Sequence, residues 1–134
     1  MRDHPIVISV PDARVLRGLL ASRSAASRDQ EHLDELRLEL ERAQVLEPQH
    51  VSTNIVTMHK LLRIVDLSSN KRQELVLVSP AEADVSERRI SVLAPLGTAL
   101  LGYREGDEVE WLMPGGIRRL RIEAVLSAVP VGAH

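Results

Sequence analysis

PLGTALLGYREGDEVEW, residues 95–111, sets a short apolar helical turn, a glycine, a charged turn and a strand in immediate succession. Leu96, Leu100 and Leu101 fall on one side of the helical part, and Gly102 stands where a C-cap would end it. Gly106-Asp107 is turn chemistry, and EVEWLM (108–113) is short and rich in strand-forming residues. A helix this short has no independent stability. It must cover an apolar sheet face, and the flanking segments supply one.

Downstream, Pro114-Gly115-Gly116 marks a hairpin or bulged turn. After it, RRLRIEAV (118–125) alternates, with Leu120, Ile122 and Ala124 on one face. Upstream, IVTMHKLLRIVDL (55–67) and QELVLV (73–78) read as strands separated by the turn residues SSNKR (68–72). The expected architecture is a twisted antiparallel sheet closed by the helix that begins at Pro95. Leu100 and Trp111 are expected in its core.

The N-terminal third has a different period. In SVPDARVLRGLLAS, Ser9 with Asp12 three residues on resembles a helix start, and Pro11 suits a first turn. Ala13, Leu16, Leu19 and Leu20 follow at helical spacing, which predicts a helix over residues 11–22. Ser27-Arg28-Asp29-Gln30 matches a capping box. A second helix is predicted from there through Leu33, Leu36, Leu40 and Ala43 until Pro48 stops it. Two such helices with facing apolar seams make an antiparallel helical hairpin. The fold class is therefore α+β, with a helical hairpin in residues 1–51, a sheet domain in 52–134, and a boundary within 48–54.

Composition narrows the functions. The chain has 134 residues, enough for one core and a modest extension, and its 44% hydrophobic and 27% charged content is that of a globular protein. Aromatic residues are 1%, with Tyr103 and Trp111 alone and no Phe. Aliphatic side chains must fill the core, and little is left for stacking on bases. A formal net charge of -2 argues against broad phosphate neutralisation, so sequence-specific nucleic-acid binding is not expected. Without cysteine there is no disulfide framework and no thiolate chemistry. The N-terminal apolar run is short and broken by Pro5 and Pro11, so neither a signal peptide nor a membrane span is expected. A cytoplasmic monomer is the expectation.

Few residues suggest chemistry. His4, His32, His50, His59 and His134 are scattered, with no pair at ligand spacing, and no metal site or cofactor is expected. There is no phosphate-cradling glycine loop and no nucleophile elbow. Asp29, Glu31, Asp34 and Glu35 crowd the start of the second helix. They complement the helix dipole on a solvated face, or they could hold Mg²⁺ near the joint of the hairpin; composition leaves both readings open. Arg118, Arg119 and Arg121, and likewise Arg88 and Arg89, read either as a solvated sheet face or as a partner-binding patch.

The segment from Pro80 onward resembles the C-terminal domain shared by bacterial Gre transcript-cleavage factors and the Rnk regulators of nucleoside diphosphate kinase. Pro80, Glu82, Ala83 and Asp84 match the family's Pro-x-Glu-Ala-Asp. Ile90-Ser91-Val92, Pro95, Ala99-Leu100-Leu101-Gly102, Gly106-Asp107 and Pro114-Gly115-Gly116 follow in family order. The likeness covers about the last 80 residues, and ELERAQVLEP and VTMHKLLRIVDL favour the Rnk branch. It implies an FKBP-like domain preceded by a coiled-coil finger. It also implies a partner, RNA polymerase, with the globular domain at the rim of the secondary channel and the finger entering it. The family's docking segment maps onto Leu93, Ala94 and Pro95, and Ala94 stands where serine is frequent in Gre proteins.

Gre cleavage factors carry a paired Asp and Glu at the tip of much longer helices. Here the tip candidates are Ser27, Asp29 and Glu31, on an arm of about a dozen residues that spans only ~18 Å. The expectation is a polymerase-binding, non-enzymatic regulator that competes with Gre-type factors without stimulating cleavage, and that affects nucleoside diphosphate kinase indirectly. The alternatives are a Mg²⁺-dependent cleavage factor using Asp29 and Glu31, and an interaction module for a non-polymerase partner. Prolyl isomerisation, suggested by the FKBP-like fold, would need an aromatic-lined pocket that two aromatic residues do not supply.

Overall fold

The computed structural model describes residues 6–21, 30–113 and 115–128. Of the finger-tip candidates, Ser27 and Asp29 lie outside them, as does the side chain of Glu31. The chain divides into two compact units, Met1–Ser52 and Thr53–His134.

The first unit runs β1 (Val7–Ser9), α1 (Val10–Ala21), α2 (Gln30–Arg42) and β2 (Gln44–Leu46). Helix α1 starts where the Ser9 hydroxyl accepts the Asp12 N–H at 3.3 Å, a side-chain cap satisfying a donor that the helix cannot. The apolar spacing gives the helices their inner faces: Ala13, Leu16 and Leu20 on α1, and Leu33, Leu36 and Leu40 on α2, are all buried. Helix α1 has no basic residue in its last turn. Arg37 of α2 supplies one by donating to the Leu20 carbonyl at 3.1 Å while pairing with Asp34 at 2.7 Å, so a cation meets the negative end of the helix dipole.

The second helix was expected to run on to Pro48 but ends at Arg42. Gln44–Leu46 instead pairs in parallel with Val7–Ser9, and Gln44 N–H donates to the Ile6 carbonyl at 2.9 Å. Burying Ile6, Val7 and Ile8 while satisfying their backbone outweighs the helical preference of Gln44 and Leu46.

The second unit holds a five-stranded sheet in the order β5-β4-β3-β7-β6. Its strands are β3 (Lys60–Asp66), β4 (Arg72–Val78), β5 (Arg89–Ser91), β6 (Glu108–Met113) and β7 (Gly116–Ala128), with helix α3 (Pro95–Leu100) before β6. The sheet is mixed rather than wholly antiparallel as expected: β5, absent from the sequence reading, pairs in parallel with β4. The β3–β4 hairpin turns on Asp66, whose carboxylate accepts the N–H groups of Ser68 and Ser69 at 2.8 and 3.3 Å. Strands β6 and β7 meet through Met113 and Gly116, the latter at φ 135°, a conformation that favours glycine.

Leu62, Ile64, Leu75, Leu77, Leu120 and Ile122 line the inner face, each at most 2% exposed. Helix α3 packs on β6 and β5 with Leu96, Gly97 and Leu100 buried, as the opening stretch requires. Leu101 caps it, and Gly102 follows at φ 84°. That turn lets Gly102 N–H donate to Val56 O at 3.0 Å while Val56 N–H donates to Tyr103 O at 2.8 Å. Trp111 lies in β6, with its side chain outside the described residues. Among the described residues no helix is long and apolar enough to cross a membrane.

Candidate functional site

The Pro-Ala-Glu-Ala-Asp stretch builds the crossover that carries the chain from β4 to β5. Pro80 opens a 3-10 turn, Pro80–Glu82, where its missing N–H is harmless. The Glu82 carboxylate accepts the Ser79 hydroxyl at 3.0 Å and meets His59 Nε2 at 3.1 Å. Asp84 then caps a second turn, Val85–Glu87, by accepting Ser86 N–H at 3.0 Å. His59 had been set aside as one of five scattered histidines. It sits at φ 66° with its N–H on the Leu77 carbonyl of β4, and its Nε2 contact with Glu82 ties the loop before β3 to this crossover.

Beyond β5 comes the segment expected to dock. The Ser91 hydroxyl accepts Leu93 N–H at 3.1 Å, the Ser91 carbonyl accepts Ala94 N–H at 3.0 Å, and Pro95 begins α3. The three candidates are not equivalent: Leu93 is buried at 7% exposure, Ala94 is half-buried and Pro95 is exposed. Leu93 therefore anchors the loop, while Pro95 is presented at its surface. Ala94 is the N-cap of α3 and makes no side-chain cap bond; a serine there could make one.

On β7, Arg119 and Arg121 lie on the face opposite Leu120 and Ile122, while Arg118 lies at the strand's start on the Leu120 side. Arg118 pairs with Asp66 at 2.7 Å and Arg121 with Glu108 at 3.2 Å. Arg63 pairs with Glu74 at 2.8 Å and Arg72 with Glu123 at 2.7 Å. Arg118 and Arg121 are thus each engaged by a cross-strand carboxylate, which agrees with the solvated-surface reading of the two open for them. Arg119, Arg88 and Arg89 are exposed. At the start of α2, Asp34 is engaged by Arg37 and Glu35 is exposed.

Three carboxyls in the sheet unit are held below their usual range. For Asp66 the main cause is the Arg118 hydrogen bond, then Ser68 N–H. For Glu82 it is His59, then Ser79, and for Asp84 it is the Ser86 side chain. A depressed folded-state value means stability that is present above the unfolded carboxyl range, about pH 4, and lost as pH falls through the lowered values. Stability measured by urea midpoint is expected to be level near neutrality and to decline below about pH 4. Asp66→Asn should make that acid limb shallower; an unchanged limb would remove the Asp66–Arg118 pair as a contributor.

Comparison with known proteins places this geometry. A family model described as "Transcription elongation factor, GreA/GreB, C-term" matches residues 51–127, and "Rnk N-terminus" matches residues 4–46. The "Regulator of nucleoside diphosphate kinase" of Escherichia coli K12 is 40% identical over 84 residues, 63% of this chain and 62% of that protein. The match therefore spans less than two thirds of that relative's length. "Transcription elongation factor GreA" of Nitrobacter hamburgensis is 32% identical over 130 residues, 92% of this chain and 82% of that one. Among solved structures, "Prokaryotic transcription elongation factor GreA/GreB from Nitrosomonas europaea" superposes with a TM-score of 0.77 at 41% identity, covering 92% of this chain and 98% of that one.

Proposed function

This chain belongs to the GreA/GreB transcription elongation factor family, with an Rnk-type N-terminus, and on that premise we propose that it regulates transcription by binding RNA polymerase at the rim of the secondary channel. The globular unit, with an FKBP-like fold, docks through the loop ending at Pro95, and the N-terminal helices form the coiled-coil finger that enters the channel. The protein acts as a cytoplasmic monomer. It occupies the channel without stimulating transcript cleavage and so competes with longer-fingered Gre factors. Any effect on nucleoside diphosphate kinase is indirect, through transcription.

Arm length is the observation that supports this reading. Helices α1 and α2 have 12 and 13 residues, which at 1.5 Å per residue span ~18–20 Å. The eight residues 22–29 between them divide as four to each arm, a length of chain that spans no more than ~14 Å in any conformation. A finger of that reach stops short of where a longer-armed cleavage factor places its paired acids, so Asp29 and Glu31 act at a distance from the polymerase metal.

Binding to core RNA polymerase, followed by addition of a Gre factor to stalled complexes, tests this. Binding with suppressed cleavage is expected. Cleavage stimulated by this protein alone would make Asp29 and Glu31 catalytic, and no binding would point to a different partner. Pro95→Asp is expected to leave thermal unfolding unchanged, because the side chain is exposed, and to weaken polymerase binding about tenfold or more. Undiminished affinity would take Pro95 out of the contact.

A further inference from the structure

An open groove of about 380 Å³ lies on the second unit, lined by Arg63, Arg72, Gln73, Glu74 and Arg88. Counting Glu123, which is bonded to Arg72 beside the lining, three guanidinium groups stand against two carboxylates, so the groove keeps a local cationic excess on a chain whose net charge is -2. The bonds of Arg63 to Glu74 run through Nε and Nη2, and those of Arg72 to Glu123 through Nε. A guanidinium has five N–H donors, so both arginines retain donors after these pairs. Arg88 adds a third exposed cation from an unusual backbone position.

Arg88 adopts φ 57° and ψ 34°, the left-handed region, at the C-cap of the Val85–Glu87 turn. Glycine or asparagine fills that conformation with less strain. Its backbone is committed on both sides, with its N–H on the Val85 carbonyl and its carbonyl accepting Val76 N–H. The side chain is left exposed, so the strained arginine is not explained by any local bond it makes.

The groove also has a definite place relative to the docking loop. Arg88 immediately precedes β5, and Pro95 follows that strand by four residues. Strand β5 has three residues and is an edge of the sheet, about 10 Å long. A partner footprint of about 800 Å² is broad enough to cover both ends of so short a strand.

We propose that the Arg63–Arg72–Arg88 groove seats an acidic segment of the polymerase, giving a second contact on the β5 edge whose carboxylates pair with Arg88 and with the unused donors of Arg63 and Arg72. This rests on the polymerase-binding reading above. The mixed charge of the sheet face, where Glu74, Glu123 and Glu108 alternate with arginines, suits a protein surface that exchanges ion pairs. The groove's lining includes no aromatic residue for a base to stack on.

The test measures affinity of the full chain for core RNA polymerase at two salt concentrations. Arg88→Glu is expected to weaken binding about tenfold or more at low salt. Arg88→Gly relieves the backbone and removes the charge. It should melt at or above the parent temperature, bind several-fold more weakly, and show a flatter salt dependence. Parent binding that neither variant alters would overturn the groove while leaving polymerase docking intact. Absence of parent binding would overturn the docking reading and the groove with it. Single-stranded RNA as a second probe should bind the parent and Arg88→Glu equally poorly; RNA binding lost on Arg88→Glu would overturn the choice of an acidic protein segment.

Discussion

Gly97→Ala is expected to destabilise the sheet unit by about 2–3 kcal/mol, although glycine to alanine inside a helix ordinarily stabilises by roughly 0.5–1 kcal/mol. The sign reverses because α3 lies directly against the strand that precedes it. A Cβ on Gly97 would run into the Ser91 carbonyl oxygen and sit 3.0 Å from Val92 Cα and 3.1 Å from Val92 C. All three obstacles are backbone atoms, so no rotamer change makes room. Ser91 is paired with Val78 in the sheet, and Val92 N–H donates to the Val78 carbonyl at 2.8 Å, so the strand cannot yield without losing ladder bonds. The helix must lift instead, loosening Leu96 and Leu100 and shifting the loop that presents Pro95. Gly18→Ala provides the contrast: Gly18 is exposed on α1, and a Cβ there meets nothing within 4 Å. That variant should gain roughly 0.5–1 kcal/mol. Urea unfolding of both variants checks the pair, and a stabilising Gly97→Ala would mean that α3 stands off the β5 turn.

How much of this was legible in the sequence depended on whether a residue's fate is settled by near neighbours. The start of α1 at Ser9, the turn at Asp66, the β6–β7 hairpin and the buried alternation of Leu120 and Ile122 are local, and their residue types declare them. Strand β2 is not local. Gln44–Leu46 is paired with a segment 37 positions earlier in the chain, Val7 opposite Gln44, and by itself continues the helical pattern of α2. Strand β5 was missed for a related reason: Arg-Ile-Ser is too short to show alternation, and its parallel partner β4 is reached only through the two turns built by Pro80 and Asp84. The motif around Glu82 was visible as a pattern, yet what Glu82 does could not be read without His59, 23 residues away. At the loop of residues 93–95, proposed to dock, the order of residues was legible, whereas the burial that separates Leu93 from Pro95 is a property of the packed loop. Arg63, Arg72 and Arg88 likewise come together only through strand register and a left-handed turn, which no linear spacing announces.

Leu100→Ala carries the largest expected loss. Leu100 is fully buried at 0% exposure on a helix packed against β6 and β5, and truncating such a leucine costs about 2–5 kcal/mol, depending on how far the site collapses. Collapse should be poor here. With no Phe and 1% aromatic residues, the core is aliphatic, and part of it, Val92 and Ile122 included, is β-branched and stiff at χ1. A core with so few long, adaptable side chains fills a new cavity poorly, so the cavity term should remain largely intact, which places the loss in the upper half of that range. For a unit of this size each kcal/mol lowers the melting temperature by roughly 4–8 °C, so the variant should melt well below the parent. Val85, 82% exposed on the crossover, supplies the comparison: Val85→Ala should stay within about 0.5 kcal/mol of the parent. Should Leu100→Ala prove as harmless as Val85→Ala in chemical denaturation, α3 would not be the cover of the sheet. The loop at Pro95 would then lose the rigid support that the proposed docking contact needs.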